Sequence, residues 1–258
     1  MTNQTKHLAK TLHQAYLNQQ AIPFLNPKAA VDETLGYAVQ ETLIERIQAS
    51  HGATPVGYKV SMTSKETQAY ANTHEPAYGT LLSHIVKTTG ATIPLHDLFS
   101  PLIEPELVFE LTDTLSPHPS AEEILEKSKI APAIEVPDAR YLNWFPNFTL
   151  GDLLADNTAT GLVVVGPSVS PPDYEALGNI AMTLAHNDKT IANGNSSAVL
   201  GHPVKAVQWL AEKLATHGKS LKAGDVISSG TFIAPIPAEV GTFQAHYDHI
   251  GNVEVTFE

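Results

Sequence analysis

Leu102-Ile103-Glu104-Pro105-Glu106-Leu107-Val108-Phe109-Glu110-Leu111 is an apolar run broken by acids, and Ile130-Ala131-Pro132-Ala133-Ile134-Glu135-Val136 repeats the pattern further along. Both runs have the length and residue types of strands. Residues two apart in a strand face the same way, so Glu104 and Glu106 project side by side. Two carboxylates held that close resist ionising together unless a cation sits between them. Glu135, from a neighbouring strand, would complete an all-oxygen site for a hard divalent ion such as Mg²⁺ or Mn²⁺. The plainer alternative is a pair of edge strands with solvated acids. Pro105 supports it, because proline cannot donate to a central ladder and belongs at edges or bulges. The apolar flanks argue the other way, since charges seldom sit in such runs without a partner.

The 258 residues suffice for one large domain or two small ones, with ample material for a core. The chain has no cysteine, which excludes disulfides and thiolate chemistry and leaves oxygen or histidine to hold a metal. A formal net charge of −12 argues against a nucleic-acid partner, which wants a basic surface. It does not exclude a small anionic substrate, because a local metal and a lysine reverse the sign inside a cleft. The first residues, Met1-Thr2-Asn3-Gln4-Thr5-Lys6, lead into a polar amphipathic stretch rather than an apolar signal core. No stretch approaches the ~18 apolar residues of a membrane span. A cytoplasmic enzyme is the expectation. The histidines show no HExxH spacing, and no GxSxG, Walker or GxGxxG pattern appears, so zinc, serine-hydrolase and nucleotide chemistry are poorly supported.

Helices are expected over 3–20 and 31–49, joined by the proline-punctuated Ala21-Ile22-Pro23-Phe24-Leu25-Asn26-Pro27. From about residue 56 the pattern changes to short β-rich runs separated by glycine and proline. Strands are expected at 56–61, 102–111, 130–136, 161–166, 180–186, 225–229, 242–248 and 252–257. Helices are expected near 64–72, 121–128 and 203–217, the last with a stripe of Val204, Val207, Leu210, Ala211 and Leu214 and a stop at Gly218. No repeat or inter-domain linker is evident. The expected organisation is one α+β catalytic domain over 1–258, with a helical portion over 1–55 and a β-rich metal-binding core over 56–258.

Lys59, in Val56-Gly57-Tyr58-Lys59-Val60-Ser61, sits in a β-like run, where it is either an exposed strand lysine or a group that steadies a substrate carboxylate and moves protons. Asp156-Asn157 either lines a cleft or forms a turn. Gly224-Asp225 precedes a strand ending in Ser228-Ser229-Gly230-Thr231, whose hydroxyls and amides suit a substrate carboxylate. His202, just before a helix, reads as a cap or packing residue rather than a ligand.

Taken together, these segments resemble the fumarylacetoacetate hydrolase superfamily, in its 2-keto-4-pentenoate hydratase and 4-oxalocrotonate decarboxylase branch. The landmarks run in order over nearly the whole chain: Gly57-Tyr58-Lys59, Met62-Thr63-Ser64, Tyr78-Gly79-Thr80-Leu81, Ile103-Glu104-Pro105-Glu106 and Ala133-Ile134-Glu135-Val136. Asp138-Ala139-Arg140, Ala155-Asp156-Asn157, Leu200-Gly201-His202-Pro203, Trp209-Leu210-Ala211 and Gly224-Asp225-Val226-Ile227 follow. The resemblance implies a mixed β-roll core behind a helical N-terminal portion, usually assembled into homo-oligomers. It implies Mg²⁺ or Mn²⁺ at Glu104, Glu106 and Glu135, Lys59 near the substrate carboxylate or proton path, and a small anionic 2-oxo acid as substrate. Candidate substrate contacts are Ser61, Asp156, Asn157, Ser229 and Thr231.

The expected activity is hydration of a 2-hydroxy-2,4-dienoate such as 2-hydroxypenta-2,4-dienoate. Decarboxylation of a 4-oxalocrotonate-type diacid comes second and acylpyruvate C–C hydrolysis third, with a non-catalytic keto-acid-binding protein as the alternative from another class. Departures bear on that order. Ala77 stands before Tyr78-Gly79 where many hydratases of the branch have aspartate, which favours decarboxylation. Ser61 replaces a glycine, Ser228-Ser229-Gly230 replaces a threonine-glycine ending, and Gly241-Thr242 stands where glycine-aspartate is common.

Overall fold

A computed structural model describes residues 2–25 and 29–258. Its helical front end consists of α1 (Asn3–Asn18) and α2 (Glu33–His51). Asp32 lies outside α2 as its cap, accepting from Leu35 N, because a carboxylate satisfies an orphan donor at the positive end of the helix. The helix runs two residues beyond its expected end at 49, and Gly52 terminates it in the left-handed region at φ 64°. Leu8, Leu12, Val39, Leu43 and Ile47 form the shared buried face of the two helices. The connection expected over 21–27 falls partly on residues 26 and 27, outside the described residues; within it, Ile22 forms an isolated bridge to Tyr141.

The β-rich part begins with β1 (Pro55–Ser61), α3 (Lys65–Tyr70), β2 (Ala77–Leu82), β3 (Val86–Thr88), β4 (Ala91–Ile93) and β5 (Leu102–Leu111). Next come α4 (Ala121–Glu126), β6 (Ser128–Val136), α5 (Leu150–Ala155), β7 (Leu162–Val165), α6 (Tyr174–Leu177), β8 (Ala181–His186) and β9 (Lys189–Asn195). The chain closes with α7 (Pro203–Thr216), β10 (Val226–Thr231), β11 (Ile236–Pro237), β12 (Gly241–Tyr247) and β13 (Gly251–Phe257). His202 caps α7, accepting from Val204 N, and its ring stacks on Tyr174 at 3.8 Å between centroids.

Two mixed sheets result, giving the α+β architecture expected. The first runs β2-β1-β10-β5-β6-β7-β3, with β11 added to β5, and the second runs β4-β13-β12-β8-β9. β12 and β13 pack against β6, and α7 packs against β10. The main core fills these contacts with Phe109, Ile134, Val207, Leu210, Phe243 and Val255.

β5 is a central strand, paired with β10 on one side and β6 on the other, so the edge-strand alternative for the two acids does not hold. Pro105 is tolerated there for a local reason. Its carbonyl accepts from Phe232 N, so its missing N–H points to the side where β5 changes partner from β10 to β11. No ladder bond is lost at that changeover. β2, β3, β4, β9 and the short β11 were not among the expected strands. β2 is buried at every position, so it shows no alternation. β9 is a polar sequence on the outer edge of the second sheet.

Gly57 pairs with Val226 in the parallel β1–β10 ladder at φ 148°, and a Cβ there would lie 1.9 Å from Val226 O. Gly57→Ala is expected to destabilise the chain by about 3 kcal/mol through overpacking and backbone strain. Urea unfolding measures this; an unchanged midpoint would contradict the register of β1 on β10.

Candidate metal centre and pocket

Strand period places Glu104 and Glu106 on one face of β5, and the antiparallel register sets Glu135 of β6 directly opposite Glu104. One carboxylate oxygen from each lies within 4.8 Å of the others. Lys59 reaches the same place from β1, with Nζ 2.6 Å from Glu135 Oε1 and both side chains 1% exposed. β1 lies three strands from β6 in the sheet order, about 14 Å away if the sheet were flat. The sheet therefore curls so that its side chains converge.

β10 supplies the support for Glu106. A bulge between Ser228 and Thr231, with Gly230 at φ 121°, aims two donors at one oxygen: Ser228 Oγ at 2.5 Å and Gly230 N at 2.9 Å, both to Glu106 Oε2. A side chain at Gly230 would collide with Thr63. Glu106 is completely buried, and its Oε1, like Glu135 Oε2, has no hydrogen-bond partner among the described residues. Unsatisfied buried carboxylate oxygens are costly, and these belong to the three-acid cluster.

Charge makes the same point. Three carboxylates face one ammonium, leaving an excess of two negative charges in an enclosed space. Burial pushes Glu104 up to about 8, with the Glu135 charge adding and Lys59 opposing, although Glu104 keeps an exposed edge at the pocket. Glu106 is raised well above the carboxylate range by burial first, then by Glu135 and Glu104, against the bonds from Ser228 and Gly230. Without a cation these groups take up protons. A divalent ion removes the excess, and hard oxygen donors with orphaned oxygens suit Mg²⁺-like ions.

A cavity of about 30 Å³ opens beside the acids. Lys59, Ser61 and Glu104 contribute its polar surface, while Tyr70, Trp144, Phe145 and Phe148 form an aromatic wall. The wall is braced by Trp144 Nε1, which donates to Ser100 O at 2.9 Å, and by Tyr70 meeting Phe145 edge to face at 5.4 Å. Size alone does not find this place: an open cleft of about 560 Å³, lined by Gln40, Tyr58, Lys219 and Asp225 among others, includes none of the three acids.

The other sequence candidates are distributed unevenly. Ser61 lies on the pocket wall. Asp156 is buried and held by Arg140, whose backbone N donates to Oδ2 at 2.7 Å and whose Nε donates to Oδ1 at 2.5 Å. Asn157 pins β2, accepting from Thr80 N at 2.7 Å and donating to Thr80 O at 2.9 Å. Ser229 Oγ donates to Leu107 O, and Thr231 Oγ1 donates to Ile233 O. The structure therefore engages Asp156, Asn157, Ser229 and Thr231 with protein partners and does not bring the first three to the pocket; Thr231 borders a neighbouring cavity. The support that Ser228 gives Glu106 and the aromatic wall were not among the sequence expectations. Trp144, Phe145 and Phe148 put three aromatics within five residues of a chain that is 7% aromatic, a signal available in the sequence.

Comparison with known proteins adds to this geometry. The model of the fumarylacetoacetate (FAA) hydrolase C-terminal family matches residues 60–257. A 2-keto-4-pentenoate hydratase of Burkholderia vietnamiensis is 33% identical over 99% of this chain and 98% of its own length. A 2-oxo-hept-4-ene-1,7-dioate hydratase of Escherichia coli is 32% identical over 97% and 96%. The solved 4-oxalocrotonate decarboxylase of Pseudomonas putida, complexed with magnesium and adipate, superposes with a TM-score of 0.90 at 27% identity, covering 100% of this chain and 99% of that one.

Ser228→Ala removes the shorter of the two bonds to Glu106. Loss of such a support is expected to weaken Mg²⁺ binding about tenfold or more. Isothermal titration calorimetry with Mg²⁺ measures this, and an unchanged affinity would mean that Glu106 does not hold the ion.

Proposed function

The chain belongs to the fumarylacetoacetate hydrolase family, and on that premise we propose that it is a divalent-metal-dependent lyase for a small 2-oxo or 2-hydroxydienoic acid. Hydration of a 2-hydroxypenta-2,4-dienoate-like substrate is the leading activity, with residues 1–258 working as one catalytic domain. The observation that carries this is the pairing of three converging carboxylates with Lys59 at the edge of an aromatic-walled pocket.

A divalent ion held by Glu104, Glu106 and Glu135 would supply Lewis acidity that favours the enolate form of a 2-oxo acid. The remaining work falls to residues of the chain. Lys59, fixed by Glu135, presents its ammonium at the pocket and is the group placed to pair with a substrate carboxylate and to exchange protons. Ketonisation of the dienol moves a proton from the 2-hydroxyl to C5, and hydration then puts hydroxyl on C4 and a proton on C3. Tyr70, Trp144, Phe145 and Phe148 keep bulk water from the reacting chain and present an apolar surface to its carbon atoms.

Decarboxylation is the second reading, and Ala77 favours it. Ala77 lies opposite Ser61 at the end of the β1–β2 ladder and is buried, so this position supplies no carboxylate near Lys59. The same aromatic wall would then cover a substrate that loses CO₂.

Proton NMR of purified protein with 2-hydroxypenta-2,4-dienoate and with 4-oxalocrotonate, in Mg²⁺ and then in EDTA, tests both. Mg²⁺-dependent 4-hydroxy-2-oxopentanoate is the expected product; deuterium exchange from D₂O with no hydrated product would end the hydratase reading. Lys59→Met is expected to lower kcat about 10²–10⁴-fold while Mg²⁺ binding persists. Full activity in that variant would remove Lys59 from the reaction.

A further inference from the structure

The acid pocket has a neighbour. A second cavity of about 160 Å³ shares Thr67, Tyr70 and Pro235 with it as a common wall. Its far side is formed by the turn that follows β10, including Phe232 and Ile233, and by Glu66 of α3. That turn is anchored: Phe232 N donates to Pro105 O, between the two acids of β5, and Ile233 N donates to Thr231 Oγ1. The second cavity is thus tied to the strand that carries Glu104 and Glu106.

A pocket of about 30 Å³ holds little more than the polar head of a five- or six-carbon acid. The carbon chain must leave it, and the larger cavity lies next to it across Thr67, Tyr70 and Pro235, with Phe232, Ile233, Ala234 and Ala198 as its apolar lining. Among the described residues, Lys59 is the one cationic side chain lining either cavity, and it is already paired with Glu135. Among the described residues, the second cavity has one acidic side chain on its wall, the exposed Glu66. A substrate tail ending in carboxylate would meet a like charge there, with no cation to offset its loss of water.

We propose that the cavity beyond Tyr70 is the subsite for the substrate's tail, and that it selects an uncharged, apolar tail over one ending in a second carboxylate. This rests on the 2-oxo acid reading given above and narrows it to monoacids. Apolar carbon atoms pack against Phe232, Ile233 and Pro235, and Glu66 at the wall excludes the diacid by charge rather than by size. Selectivity of this kind is set by the repulsive element as much as by the apolar contact.

Binding of two non-reacting probes matched in length, 2-oxohexanoate and 2-oxohexanedioate, tests this in the full chain with Mg²⁺, by calorimetry and by displacement of pyruvate. The monoacid is expected to bind at least about tenfold more tightly. Glu66→Lys, an exposed change on a helix surface, is expected to narrow that ratio at least about fivefold by improving the diacid, with pyruvate affinity unchanged. Equal binding of the two probes by the unaltered chain would overturn the selectivity. A ratio untouched by Glu66→Lys would place the tail elsewhere and overturn the subsite. Failure of both probes and of pyruvate to bind with Mg²⁺ would instead overturn the 2-oxo acid reading itself, and the subsite with it.

Discussion

Three carboxylates and a single ammonium share one enclosed space at the middle of the larger sheet, and the surrounding strands are placed so that this imbalance is held rather than relieved. Glu104 and Glu135 face each other across the β5–β6 ladder, where like charges repel most strongly. Among the described residues, Glu106 has two donors on one oxygen and none on the other. A fold selected for stability alone would put apolar residues at all three positions. Keeping acids there has a physical rationale when a divalent ion belongs with them.

The rest of the molecule holds that centre in shape. The bulge in β10 turns Ser228 and Gly230 toward Glu106, and the partner change from β10 to β11 makes room for Pro105 in a central strand. Behind the pocket, Arg140 holds Asp156 while also donating to Asp138 O and Thr160 O, and Asn157 locks onto Thr80 of β2. Gln40 of α2 reaches Tyr78 O and Leu154 O, tying the helical front end to the same wall. Buried pairs of this kind contribute little net stability but fix geometry when every donor is matched.

The acids were legible in the sequence because charge inside an apolar, period-two run is conspicuous at Glu104, Glu106 and Glu135. Lys59 was legible mainly through the order of landmarks around it. Ser228 was not, because its role depends on β10 lying between β1 and β5, a long-range pairing that local pattern does not encode. Asp156 and Asn157 differ: polar residues in a named segment suggested substrate contact, and the structure shows them hydrogen-bonded to Arg140 and Thr80 from distant parts of the chain. β2 escaped notice because it is buried throughout and carries Gly79, whose added Cβ would strike Asn157 O. Pro105 pointed to an edge because proline reports a missing donor, and only the structure shows which neighbour does without it.

The most direct measurement is thermal unfolding of metal-stripped protein with and without excess Mg²⁺, from about pH 6 to about pH 9. Glu104 is raised from the ordinary carboxylate range to about 8 in the folded chain. Below that range both states are protonated; through the window up to about 8 the folded state holds a proton that the unfolded state has lost. Stability of the stripped protein therefore falls as pH rises through this window, and Mg²⁺, which needs ionised ligands, restores it. The expected result is a gain in Tm from Mg²⁺ that grows between about pH 6 and about pH 8 and disappears in Glu106→Gln. No gain, or a gain of equal size at every pH that survives in Glu106→Gln, would contradict a cation site built from these three carboxylates.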